Sequence, residues 1–295
     1  MTTSLKDLLN SRRPLLIDGA TGTELERRGY PLAAAGWSAR AIEDVPDLLE
    51  QIHRDYVDAG AQLITANTFR LHRRNLDAWG RASSQQALVD QAVQLARRAA
   101  GKKALVAASL APIGDCYSPE EVPSPDRLAD EHAELARALA TAGADVILVE
   151  TMVSGIEAEA ACQAAAGTGL PFIVSFVTGP RGQLLTGEKL GDILPAIVKH
   201  APTAIGINCV SCRDVDAALD QLLAEGQNVP VGVYANTGER ADDGSWRVTT
   251  ASQPAVYAGI ASRWLERGIA LIGGCCGTTP PHTASLQGSI AERLP

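Results

Sequence analysis

Eight short apolar runs recur along the chain, each too far from the next for a hairpin. They are Pro14 to Gly19, Ala61 to Asn67, Ala104 to Leu110, Asp145 to Thr151, Pro171 to Phe176, Ala204 to Cys209, Val229 to Asn236 and Ala270 to Cys276. Between them lie alanine-, leucine- and charge-rich segments with helical periodicity, the alternation expected of βα units. Near-continuous apolar strands suit a parallel sheet covered on both faces. Eight strands with eight crossovers favour a closed (β/α)8 TIM barrel, one domain over residues 1–295, over an open sheet with edges to protect. Glycine turns such as "DAGAQ" (58–62), "TAGADV" (141–146) and "ERGIA" (266–270) punctuate the ends of the preceding helices.

The remaining composition narrows the function. The chain of 295 residues carries a formal charge of −8 with no basic block, which speaks against nucleic acid as a partner. Its first residues lack the apolar core of a secretory signal, and no segment is long and apolar enough to span a bilayer. The expectation is therefore a cytoplasmic enzyme acting on small molecules, without a membrane partner; no motif bears on oligomeric state. In a reducing compartment the six cysteines read as metal ligands or packing residues rather than disulfides.

Barrel active sites lie at the C-terminal ends of the strands. Asp18, Asn67, Ser109, Glu150, Cys209, Asn236, Cys275 and Cys276 all fall there. Cys209 ends the sixth run and the Cys275–Cys276 pair the eighth, so one strand separates them and three thiolates can meet at one ion. Zinc, which accepts a tetrahedral sulfur set, is the natural candidate. Adjacent cysteines can share a metal if the backbone bends, as "GGCCG" permits through Gly273, Gly274 and Gly277. Cys162, on a helix, reads as packing. Cys212 forms a C-x-x-C pair with Cys209 and offers the alternative of a closed four-sulfur structural site; Cys116 is uncommitted.

The stretches "DGATGTELERRG" (18–29), "ITANTFR" (64–70), "VETM" (149–152), "GINC" (206–209), "YANTGE" (234–239) and "GGCCGTTPPH" (273–282) together resemble the homocysteine S-methyltransferase family of zinc-dependent thiol methyltransferases. The resemblance spans almost the whole chain. It implies a (β/α)8 barrel, Cys209, Cys275 and Cys276 as zinc ligands, and Asp18 and Glu150 as holders of the homocysteine amino group.

The residues suggest how such chemistry would run. A three-thiolate zinc with an open position binds an incoming thiol as thiolate. The negative cluster favours a cationic methyl donor. Backbone N–H groups from Gly19 through Thr21, Gly22 and Thr23, at a helix start, would receive the substrate carboxylate, opposite Asp18 and Glu150. Asn236 would cap the open zinc position or bond the donor, with Asn67 and Thr68 as further substrate contacts. Trp37, Tyr117 and Trp246, in loops after the first, third and seventh strands, would form an aromatic wall around a methylated cation. His282 reads as a helix N-terminal contact. The expected reaction is methylation of L-homocysteine to methionine from S-methylmethionine or S-adenosylmethionine. The alternatives are betaine as donor, or a non-catalytic amino-acid-binding barrel closed by four sulfurs.

Overall fold

The computed structural model describes residues 4–11, 13–32, 35–225, 229–241 and 245–293. All eight apolar runs are strands: β1 (Leu15–Leu16), β2 (Leu63–Ala66), β3 (Leu105–Leu110), β4 (Val146–Met152), β5 (Phe172–Phe176), β6 (Ala204–Ser211), β7 (Val231–Asn236) and β10 (Leu271–Gly274). They form one parallel sheet in the order β1-β10-β7-β6-β5-β4-β3-β2. The barrel closes where Ile17 pairs in parallel with Leu63. There the Asp18 N–H donates to the Leu63 carbonyl at 3.0 Å and the Gln62 N–H to that of Leu16 at 2.8 Å. The connection after β7, read from the sequence as an irregular loop, instead folds into the antiparallel pair β8 (Gly238–Arg240) and β9 (Trp246–Val248). Glycine at 238 permits it, because a Cβ there would stand 2.5 Å from the Trp246 ring.

Period-two alternation assigns the two faces of each strand. Leu15, Ile17, Leu63, Ala107, Val146, Leu148, Ile173 and Leu271 form an inner cluster. Their neighbours Leu16, Ile64, Val106, Ala108, Ile147, Val149 and Val174 join the larger cluster beneath the helices. Helices complete that outer layer with residues at spacings of three and four, as in Leu49, Ile52, Tyr56 and Val57 of the helix Pro46–Asp58. No helix among the described residues is long and apolar enough to cross a membrane.

A short helix over Leu5–Leu9, not anticipated from the sequence, floors the barrel. Ser4 and Asp7 form a reciprocal capping box at its start, and Leu5 and Leu9 enter the inner cluster. Replacing Leu5 with alanine is expected to lower unfolding free energy by about 2–4 kcal/mol, the usual cost of a buried leucine truncation, measured by chemical denaturation.

Candidate metal centre and active site

β6 and β10 both pair with β7, so their C-terminal ends stand one strand apart, as the sequence order required. The sulfurs of Cys209, Cys275 and Cys276 lie within 4.8 Å of one another, and Cys209 and Cys276 are 3.7 Å apart. In a regular strand Asn208 and Cys209 would face opposite sides. A register shift between Asn208 and Ser211 removes that constraint, and Cys209 takes a left-handed backbone with φ 55°. β4 carries the matching irregularity, with Thr151 at φ 59°. Such residues cost on the order of 1–3 kcal/mol each and persist where surrounding bonds over-determine them. Here Asn208 ties the two bulges together: its Oδ1 accepts the Thr151 N–H at 2.9 Å and the Ser175 hydroxyl at 2.7 Å.

The cysteine pair is held by the end of β7. The Cys275 N–H donates to the Ala235 carbonyl at 2.8 Å, and the Cys276 N–H to Asn236 Oδ1 at 2.9 Å. Of the three glycines expected to bend this segment, only Gly277 does so, with φ +80°. Gly273 and Gly274 belong to β10 and are required by close approach: a Cβ on Gly273 would meet Ile17 Cγ2 at 2.1 Å.

Thiols this close cannot ionise independently. Hydrogen bonds from Cys275 and Cys276 hold the Cys209 thiol well below its usual range. The same contacts with Cys209 push Cys275 and Cys276 well above theirs. A bound cation would remove the repulsion that opposes full ionisation, and three converging soft sulfurs, Cys209 buried and the other two half-buried, fit a thiophilic metal ion. Cys212 does not join them. Its thiol donates to the Asn236 carbonyl at 3.2 Å and packs against the outer core, so the structure gathers three sulfurs rather than four and the non-catalytic reading loses the closed site it was built on. Cys162 is a buried packing residue, while Cys116 sits beside Cys209 in a small apolar cluster at the barrel mouth.

A cavity of about 220 Å³ opens directly on the cluster, lined by Asp18, Gly19, Ala20, Thr21, Gly22, Thr23, Asn67, Ser109, Glu150 and the three cysteines among others. Asp18 and Glu150 are both buried. The Asp18 carboxylate accepts the Thr65 N–H at 2.7 Å and its hydroxyl at 3.0 Å, yet desolvation raises its pKa to about 7. Glu150 accepts from Ser109 at 2.5 Å and faces Asn208 Nδ2 at 3.5 Å; desolvation raises it to about 8. Neither has a cationic side-chain partner among the described residues, an arrangement suited to a ligand that brings its own ammonium. At the adjoining turn Thr21 makes no side-chain cap, leaving first-turn N–H groups for an anion.

Other expected contacts serve as braces. Asn67 lines the cavity but exchanges both amide hydrogen bonds with Ser38, at 3.0 and 2.7 Å. Thr68 is buried outside the cavity lining and donates to the Ser109 carbonyl at 2.9 Å. Asn236 Oδ1 accepts the Cys276 N–H, which leaves its second lone pair unused; its amide nitrogen donates to the Tyr117 hydroxyl at 3.4 Å. Trp37 and Tyr117 line the cavity, whereas Trp246 is exposed on the β8–β9 pair and does not line it. His282 forms a capping box with Thr279. The sequence reading missed Thr65, Ser175, Asn208 and Tyr234, the polar residues that take over the inward positions above the apolar layer. Their signal was present: each interrupts an apolar run two residues beyond an inward-facing position.

A sequence model described as Homocysteine S-methyltransferase matches residues 15–290. The chain belongs to the homocysteine S-methyltransferase family. It is 34% identical to the homocysteine S-methyltransferase of Escherichia coli, over 96% of this chain and 97% of that protein. It is 28% identical to the homocysteine S-methyltransferase YbgG of Bacillus subtilis, over 94% and 95%. The metallated form of the Escherichia coli homocysteine methyltransferase MmuM superposes with a TM-score of 0.83 at 31% identity, covering 96% of this chain and 99% of that one. As a member of this family the protein is a methyltransferase, and the matched span contains the three cysteines and both buried carboxylates.

Two outcomes follow from the geometry. Cys212→Ala should retain one metal ion per chain by elemental analysis, whereas Cys209→Ala should lose it. Because burial raises Glu150 above its unfolded value, the folded protein loses stability as pH rises from about 4.5 to about 8. Metal-free, ligand-free Glu150→Gln should therefore match the parent near pH 4.5 and exceed it by at least about 1 kcal/mol at pH 8.5 in denaturant melts.

Proposed function

We propose that the enzyme transfers a methyl group from a cationic donor, S-methylmethionine or S-adenosylmethionine, to the thiol of L-homocysteine, giving methionine, with zinc held by Cys209, Cys275 and Cys276. The observation that carries this reading is one small cavity containing a three-sulfur cluster and two buried carboxylates without cationic partners. An amino acid with a terminal thiol matches both. Its ammonium would lie between Asp18 and Glu150, whose burial makes them dependent on a counter-charge. Its carboxylate would meet the N–H groups of Gly19, Thr21, Gly22 and Thr23. Held at that end, the side chain reaches toward the sulfurs.

Zinc bound there would supply the Lewis acidity that keeps a fourth sulfur ionised near neutral pH, where a free thiol with a pKa of about 8.5 is mostly protonated. In the transfer, a bond forms between the homocysteine sulfur and the methyl carbon as the donor's S⁺–CH₃ bond breaks. The electron pair of that bond stays on the donor sulfur, which leaves as a neutral thioether; the thiol proton is given up to solvent on binding. The chain's own contribution is alignment, which in an in-line transfer accounts for much of the rate. Asn208 and Ser109 fix Glu150, Thr65 fixes Asp18, and Asn236 fixes the backbone of Cys276. Trp37, Phe69 and Tyr117 line the approach and offer ring faces to a methylated cation.

Zinc-loaded protein incubated with homocysteine and, in turn, S-methylmethionine, S-adenosylmethionine or betaine should form methionine with one of the two sulfonium donors. Cys275→Ala should lose bound zinc and reduce methionine formation at least about 1,000-fold, as expected when the activating group is removed. Turnover that survives removal of zinc would refute this reading.

A further inference from the structure

Among the described residues, Arg70 is the one arginine or lysine in the cavity lining. Asp18, Glu150 and the sulfurs line the cavity from the strand ends, while the loops contribute Arg70 and Asp115. Arg70 follows β2 in the turn after Thr68 and is half-buried. One guanidinium nitrogen donates to the Gly114 carbonyl at 2.9 Å, and the guanidinium carbon lies 5.3 Å from the centre of the Phe69 ring. Phe69 packs in turn against the cluster that contains Cys209 and Cys116. The charge therefore sits about one ring beyond the thiols.

Among the described residues Arg70 forms no ion pair, whereas Arg74 on the same side is neutralised by Glu131. Arg70 also borders a second, more open chamber of about 780 Å³ that shares Trp37, Arg70 and Asp115 with the first. Asn75 lines this chamber, and its buried amide nitrogen has no hydrogen-bond partner. Asp115, on the shared wall, accepts the Tyr117 N–H at 2.9 Å. Glu121, also in the chamber lining, accepts the Asp115 N–H at 3.1 Å, and a half-buried guanidinium with unused donors, on a wall that also carries an orphaned amide N–H, can receive a carboxylate.

We propose that Arg70 receives the carboxylate of the methyl donor, so that the enzyme selects zwitterionic donors, with the methylated cation against Trp37, Phe69 and Tyr117 and the anionic end at the shared wall. The assignment rests on the methyl-transfer reading above, in which the acceptor's carboxylate occupies the Gly19–Thr23 turn. It makes Arg70 a specificity residue for the donor and not for the acceptor.

The test compares S-methylmethionine with (3-aminopropyl)dimethylsulfonium, the same compound without its carboxylate. Zinc-loaded parent, Arg70→Met and Arg70→Lys are assayed for kcat and KM with homocysteine, and donor binding without homocysteine is measured by calorimetry. Arg70→Met should lower kcat/KM for S-methylmethionine about 10- to 100-fold, chiefly through KM, as expected for loss of a charge-assisted bond. The preference for the carboxylate-bearing donor should shrink by the same factor, the homocysteine KM should stay within about twofold, and Arg70→Lys should recover part of the loss. An equal loss with both donors, or a rise in the homocysteine KM alone, would overturn the assignment. If the parent transfers no methyl group from either donor, calorimetry separates the two ideas. S-methylmethionine binding that weakens in Arg70→Met upholds the carboxylate site while the methyl-transfer reading falls. Binding that is absent in the parent, or the same in both, overturns the site.

Discussion

Three sulfur atoms confined within 4.8 Å at the mouth of a barrel create an electrostatic problem that the protein alone does not solve. Full ionisation places like charges in a buried space, and protonation leaves a soft, chelating set of atoms without their strongest partner. The backbone around them is arranged to keep this tension rather than relieve it. Cys209 is turned inward by a left-handed residue in β6, and the Cys275–Cys276 segment is fixed to the end of β7 by main-chain and Asn236 hydrogen bonds. Even Thr23, in the first turn of the helix after β1, accepts the Gly277 N–H at 3.0 Å and so couples the proposed carboxylate turn to the sulfur segment.

The same logic extends one layer down. Inside the barrel, leucine, isoleucine, valine and alanine give way to Thr65, Ser109, Glu150, Ser175, Asn208 and Tyr234 as the strands approach the mouth. Asn208 joins Thr151, Ser175 and Glu150 in one connected set, and the Ser175 hydroxyl meets that of Tyr234. A connected network of this kind holds Glu150 in place without giving its carboxyl a cationic partner, so a ligand's ammonium can supply the counter-charge that favours its ionised form. Loops then close over the layer: Tyr117 donates toward Cys209, at 3.0 Å from its sulfur and 3.1 Å from its carbonyl, and Arg240 of the β8–β9 pair stacks on the Tyr117 ring at 5.1 Å.

Strand number, parallel order and the convergence of Cys209 with Cys275 and Cys276 were legible in the sequence because they depend on run length, spacing and chain order alone. The exclusion of Cys212 was not legible, since C-x-x-C spacing is the same whether or not a bulge sends the two side chains apart. Thr68 and Asn67 look alike as polar residues at a strand end, and only tertiary contacts decide that one lines the cavity and the other braces β3. Trp246 was misplaced for a related reason: it lies exposed on a hairpin whose Gly238 it packs against, off the cavity lining, and the tip, residues 242–244, lies outside the described residues. The inward polar layer was legible in principle, because each member breaks an apolar run at the period of a strand, but single serines and threonines in buried strands rarely signal function.

The central claim is that these three cysteines bind one zinc ion and leave one position for the thiol of the acceptor. X-ray absorption at the zinc edge of loaded protein, recorded before and after adding homocysteine, tests it most directly. The account predicts three sulfur neighbours and one lighter atom in the free enzyme, changing to four sulfurs at about 2.3 Å with homocysteine bound. Four sulfurs already present without homocysteine, or a shell unchanged by it, would contradict the account.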